Sequence, residues 1–341
     1  MRKIIIAALL GATTLVSAEL NIYSARHYDA DFEIYKKFEA QTGIKINHTT
    51  ARAPELIKRL QLEGKNSPAD IFITADVSNL TEAKNANVLA PVDSKFLKDT
   101  IASNLRDKDD MWFAITKRAR IIAYDKNAKI DPNLVKNYED LAKPELKGKI
   151  LVRSATAAYS KTLLASIIAN DGKEEAKKWA KGVLDNLAMP PKGGDRDQAR
   201  QMVSGVAPYA VMNTYYIGLL RTSKNPKDVE VGNSIGIIFP NQDGRGAHIN
   251  VSGIAMTASS KNQEAAKKFM EFMLSKEVQT MLTNINYEYP ARSDVEPSDV
   301  VKSFGKFKED SIEVSKIADN VKDAVLIYDE VGFRWEIKQK L

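Results

Sequence analysis

Five side chains in this sequence could act together on a metal ion: the pair His27-Tyr28, then Tyr159, then the pair Tyr215-Tyr216. Each sits where the pattern predicts a loop or an element boundary. His27-Tyr28 follows an apolar run, Tyr159 stands near a helix start, and Tyr215-Tyr216 come directly after Asn213-Thr214. Adjacent tyrosines in one element cannot both point into one core. If Asn213-Thr214 opens a turn, both phenols can swing toward a common point. Phenol oxygens suit a small trivalent hard acid such as ferric ion, because hard cations prefer anionic oxygen donors. A phenol has a pKa of about 10, yet a nearby cation favours the phenolate. Spacing alone leaves each tyrosine open to a core or rim role with its hydroxyl hydrogen-bonded.

The elements that must position these residues follow from periodicity. Leu20 to Ser24 is expected as a short buried strand, followed by a helix over Asp31 to Thr42 closed by Gly43. A strand at Ile44 to Ile46, a helix over Pro54 to Glu63 and a strand over Ala69 to Ile73 complete a βαβαβ start, which predicts a parallel sheet. Further strands are expected at Ala119 to Tyr124, Lys149 to Val152, Ile235 to Phe239 and Ile249 to Met256. Helices are expected over Ala157 to Ala169 and Asn262 to Leu274. His27-Tyr28 thereby falls in a turn at the carboxyl end of a strand, where open α/β sheets collect ligands.

The chain has 341 residues, enough to exceed one core and divide in two. No stretch reads as a flexible linker, so the crossings between lobes are expected inside strands, near Arg120 and Pro240, with a third return near Val295. The boundaries drawn are 19–119 plus 241–294 for an N-terminal lobe and 120–240 plus 295–341 for a C-terminal lobe, an α/β hinged arrangement with the ligand in the inter-lobe cleft.

Met1-Arg2-Lys3, the apolar Ile4 to Leu10 and the small-residue end Val16-Ser17-Ala18 read in order as a secretory signal over 1–18 cleaved after Ala18. Gly11, Thr13, Thr14 and Ser17 break the run too early for a membrane anchor, so the mature chain is not expected to be membrane-embedded. The sequence has no cysteine, which removes lipidation, disulfides, thiolate metal sites and cysteine nucleophiles. An exported chain without an anchor points to the periplasm. The formal net charge of +6 falls to +4 once Arg2 and Lys3 are removed, with lysines and acids interleaved, and no basic stripe marks a nucleic-acid binder.

Six segments carry a family likeness in the same order: 22–28 (IYSARHY), 117–120 (KRAR), 193–198 (GGDRDQ), 213–216 (NTYY), 245–253 (RGAHINVSG) and 286–290 (NYEYP). Over nearly the whole mature chain the sequence resembles the ferric-iron-binding proteins of bacterial ABC importers, transferrin-like periplasmic receptors of the type II solute-binding fold. The resemblance implies a monomeric Fe3+ receptor that serves an ABC permease and its ATPase. It implies Tyr215 and Tyr216 as principal ligands, with Tyr159 and the His27-Tyr28 pair closing over the metal. One branch of that family places a glutamate after the strand ending here at Thr74. Ala75 and then Asp76 stand there instead, so the resemblance is to the tyrosine-rich branch, with Asp76 as a supporting hydrogen-bond acceptor. A synergistic anion such as carbonate would need a guanidinium fork, for which Arg26 and Arg118 are the candidates, with Arg120 behind them.

Two other classes compete with this reading. A receptor for an organic solute on the same scaffold remains open, since fold does not fix ligand. An exported hydrolase has little to work with: the histidines are His27, His48 and His248, and no G-x-S-x-G, H-E-x-x-H or phosphate-loop pattern occurs.

Overall fold

The computed structural model describes residues 19–26 and 28–333; the expected signal segment 1–18 and His27 lie outside the described residues. The chain opens with strand β1 (Glu19–Ser24), helix α1 (Asp29–Thr42), strand β2 (Lys45–Thr50), helix α2 (Ala53–Glu63) and strand β3 (Ile71–Thr74). β1 pairs in parallel with both β2 and β3, so the βαβαβ start stands as read. Gly43 stops α1 in the left-handed conformation, at φ 70°, and returns its amide to Glu39 O, a position that favours glycine.

Helix α3 (Val77–Asn85), strand β4 (Leu89–Ala90) and helix α4 (Lys95–Thr100) lead into strand β5 (Phe113–Asp125), the longest strand described. The remaining strands are β6 (Ile150–Leu151), β7 (Tyr209–Asn213), β8 (Ile235–Ile238), β9 (Ile249–Thr257) and β10 (Tyr289–Pro290), with helix α5 (Ala158–Asp171) following β6. The main path of the sheet runs β2-β1-β3-β9-β5-β7-β6, with β4 on β9 and both β8 and β10 on β5.

β5 belongs to two sheets in succession. Its first half pairs antiparallel with β9, from Phe113 opposite Ile254 to Ala119 opposite Ile249. From Arg120 opposite Asn213 to Tyr124 opposite Tyr209 its partner is β7, while Ile122 to Asp125 also pair with β8. The chain therefore changes sheets at Arg120 without leaving extended conformation.

Apolar side chains divide accordingly. One core gathers Leu20, Ile22, Phe38, Leu56, Phe72, Trp112, Phe113, Ile254 and Phe269. The other half of the molecule has a core on each face of its sheet: Ile122, Tyr138, Leu164, Trp179 and Val211 on one side, Ile121, Ala123, Met202, Met212 and Ile217 on the other. Residues 121, 122 and 123 alternate between these two cores, as the period of two of a strand covered on both faces requires. Helix Val314–Asp319 lies across the division, with Val314 and Ala318 in the first core and Ile317 in the second.

Candidate metal centre

Three chain segments bring phenols to one point. Tyr28 occupies the N-cap of α1, in extended conformation immediately beyond β1. Tyr159 is the second residue of α5. Tyr215 and Tyr216 open the helix Tyr215–Arg221, with Thr214 as the single residue between it and β7. The abrupt change from strand to helix aims both side chains the same way. Their rings lie 4.1 Å apart between centroids, with 31° between planes.

The Tyr215 hydroxyl shares a hydrogen bond with Tyr28 at 3.3 Å and another with Tyr159 at 3.3 Å. Tyr215 is fully buried, while Tyr28, Tyr159 and Tyr216 are half-buried. Burial pushes the Tyr28 and Tyr215 phenols well above the ordinary range. The neighbouring phenol of Tyr159 adds to both, and Arg118 opposes both. Burial raises Tyr216 as well. Without a cation Tyr28, Tyr215 and Tyr216 are thus held as neutral phenols. Packed this closely, three phenolates would repel one another strongly in a site of reduced dielectric, so ionising them together requires a positive charge among them.

The surrounding arginines meet the tyrosines by their faces. The Arg26 guanidinium carbon lies 4.7 Å from the Tyr28 ring centre, and those of Arg118, Arg153 and Arg120 lie 5.3, 5.3 and 5.9 Å from that of Tyr159. Their nitrogens point to buried carboxylates. Arg26 donates to Asp31 through Nε and Nη2, and to Glu288 through Nη1 at 3.3 Å. Arg118 donates to Glu288 at 3.1 Å, to Ser252 Oγ at 3.0 Å and to Val251 O at 3.1 Å, leaving its Nε without a protein partner. Arg120 pairs with Asp195 at 2.7 Å, and Arg153 approaches the same carboxylate at 3.6 Å. Burial alone would raise the Glu288 carboxyl, but Arg26 and Arg118 outweigh it and hold it below the usual carboxylate range.

The hydrogen bonds of the Asp76 carboxylate go to α3 and β9. One carboxylate oxygen accepts from Ser78 N at 2.9 Å to cap α3, and the other accepts from Asn250 Nδ2 at 2.8 Å. Of the remaining histidines, His48 is exposed on β2, whereas His248 is buried and pushed down to about 3, first by burial and then by Arg120 and Arg118. Arg153, Asp195 and Glu288 are site residues that the sequence reading does not single out. Asp195 and Glu288 stand inside two of the six family-like segments, which was the signal available for them; Arg153 had none.

Residues 66–306 match the family model described as "Bacterial extracellular solute-binding protein". The chain belongs to this family. Its members bind solutes and are not enzymes, and the fold is the two-lobed, hinged type II solute-binding fold. Within the family this chain falls among the ferric-iron-binding proteins. It is 42% identical over 316 residues to iron uptake protein A1 of a Synechocystis strain, a match covering 93% of this chain and 88% of that protein. A solved ferric binding protein from Campylobacter jejuni is 75% identical, with a TM-score of 0.89 over 92% of this chain and 100% of that one. A Trichodesmium protein (IdiA, FutA), solved in complex with iron and citrate ligands, is 41% identical with a TM-score of 0.89, over 93% and 100% of the two chains.

Proposed function

We propose that this solute-binding protein captures one ferric ion in the periplasm and delivers it to an ABC-type inner-membrane importer, consisting of a permease and its ATPase. The observation that carries this reading is the Tyr215 hydroxyl held 3.3 Å from those of both Tyr28 and Tyr159. Oxygen donors from three separate segments converge there, and oxygen donors of anionic character are what a hard trivalent cation selects. The names of the relatives and of the solved neighbours support the same ligand.

Tyr28, Tyr159, Tyr215 and Tyr216 would each lose a proton on loading, with His27 as a neutral fifth ligand. Four phenolates around a trivalent ion leave one net negative charge. Four guanidiniums, of Arg26, Arg118, Arg120 and Arg153, face three carboxylates, of Asp31, Asp195 and Glu288, which leaves one net positive charge beside it. The charges balance without another anion. Arg26 is committed to Asp31 and Glu288, and Arg118 to Glu288, Ser252 and the Val251 carbonyl with only its Nε left without a protein partner, so carbonate or a similar synergistic anion is an accessory in this reading and not a requirement.

The lobes we propose are 19–119 with 241–294 and 120–240 with 295–341, hinged where β5 passes from one sheet to the other and where the chain returns between β8 and β9. Export by a signal cleaved after Ala18 and action as a monomer belong to the same reading. The test is a visible absorption titration of the metal-stripped mature protein with ferric citrate. A broad phenolate-to-iron band saturating near one iron per chain is expected. A folded protein that develops no band overturns the reading in favour of an organic solute.

A further inference from the structure

Glu288 is completely buried, and it binds two of the four arginines that lie on the tyrosine faces, Arg26 and Arg118. Its two oxygens divide the work. Oε1 accepts from Arg118 Nη1 at 3.1 Å and from Ser252 Oγ at 3.5 Å, while Oε2 accepts from Arg26 Nη1 at 3.3 Å and from Asn286 Nδ2 at 2.7 Å. Those partners come from just beyond β1, from β5, from β9 and from the turn that enters β10, so the carboxylate stands where the first segment of the chain meets β5, the strand that passes from one sheet to the other, and β9 beside it. We infer that Glu288 is a positioning residue for metal capture: by holding Arg26 and Arg118 on one carboxylate, it fixes a cation on the ring face of Tyr28 and another on that of Tyr159, phenols supplied by different parts of the chain. This inference rests on the ferric-ion reading above.

The physical argument is one of geometry and charge. Two guanidiniums bound to one carboxylate are close enough to repel each other once it is gone. Arg26 keeps its pair of bonds to Asp31. Arg118 retains only Ser252 and the Val251 carbonyl, both uncharged, so it is the one expected to leave its ring. A guanidinium over an aromatic face stabilises negative charge developing on that ring, and losing it weakens the phenolate as a ligand. Groups that hold metal ligands from behind typically change metal affinity by about 10–100-fold when removed.

The experiment compares the wild-type protein with Glu288→Gln and Glu288→Asp, each loaded with ferric iron and challenged with citrate, with the visible band recorded throughout. Glu288→Gln is expected to hold iron at least about ten-fold more weakly and to shift the band. Glu288→Asp keeps the charge but is shorter by one carbon–carbon bond, about 1.5 Å, and so cannot serve both arginines from the same backbone. It is expected to lose affinity in the same direction by a smaller factor, and it decides the matter if the glutamine variant does not fold. Wild-type affinity and an unmoved band in the folded variants, with or without a lower unfolding temperature, would reduce Glu288 to a structural ion pair and overturn the inference. A wild-type protein that shows no band at all removes the ferric-ion reading and this inference together.

Discussion

The hydroxyls of Tyr28 and Tyr215 lie 3.3 Å apart although 187 positions separate them in the chain. Tyr28 rides on the strand-to-helix turn of the first sheet, and Tyr215 on that of the second, so this contact spans the cleft between them. Since Tyr215 also bonds to Tyr159, it is the shared member of the cluster.

Tyr215→Phe should therefore damage iron binding more than Tyr28→Phe. Losing the central phenol removes one ligand and the hydrogen-bonded link between the other two. Affinity is expected to fall by about 100-fold or more for Tyr215→Phe and by about ten-fold for Tyr28→Phe, taking the range seen when groups that support metal ligands are removed as a lower bound. Citrate competition on the two variants checks the order.

Loading should release protons. Burial first, and the adjacent phenols second, hold Tyr28 and Tyr215 above the ordinary phenol range, so both are neutral before iron arrives at neutral pH. Each phenolate formed then displaces one proton, and apparent affinity should rise by about ten-fold per pH unit for each. At least two decades per unit are expected between about pH 6 and pH 8. Titration in weakly buffered solution with a pH indicator counts the protons directly.

Acid should destabilise the metal-free protein partly through His248. Its folded pKa is pushed down to about 3 from 6.5, chiefly by burial, so the unfolded chain binds a proton that the folded chain refuses. Stability is whole above about pH 6.5 and is lost as pH falls toward about 3, amounting to about 2–3 kcal/mol by about pH 4.5. His248→Gln should flatten that part of the curve in urea unfolding measured across the range.

Asn250 ties the two sides of the cleft through uncharged and charged partners at once. Its amide donates to Asp76 Oδ2 at 2.8 Å and to Thr162 Oγ1 at 3.0 Å, and its own oxygen accepts from Val77 N at 3.2 Å. Asp76 and Val77 stand at the start of α3, and Thr162 stands on α5. Asn250→Ala should cost about 1–3 kcal/mol of stability and give a larger radius of gyration by small-angle scattering of the metal-free protein. An unchanged radius would mean that the tie does not hold the cleft closed.

The first half of the fold was legible because its signals are local. The alternation and helical periodicity from Leu20 to Ile73 give the parallel start, and Gly43 marks the end of α1. β5 is longer than the apolar run Ala119 to Tyr124 suggested, because Lys117 and Arg118 interrupt the hydrophobic pattern while their charges are met by Glu309 and Glu288, partners about 170 to 190 residues away. β7 went unread for a similar reason: Tyr209 to Asn213 is short, and both its faces are buried. Of the site, Tyr215-Tyr216 could be suspected from two adjacent phenols after a turn. Tyr28 and Tyr159 stand at loop-like positions but are each open to a core or rim role without the family likeness, and nothing local shows that Glu288 would bind the arginines on their faces. A buried ion pair is specified by where distant strands meet, which the pattern of any one segment does not contain.

The central claim is that one ferric ion sits among the phenols of Tyr28, Tyr159, Tyr215 and Tyr216. Anomalous diffraction at the iron edge from crystals of the loaded protein tests it most directly. The account predicts one strong peak in bonding contact with those four oxygens; a peak elsewhere on the molecule, or one that touches none of the tyrosines, would contradict it.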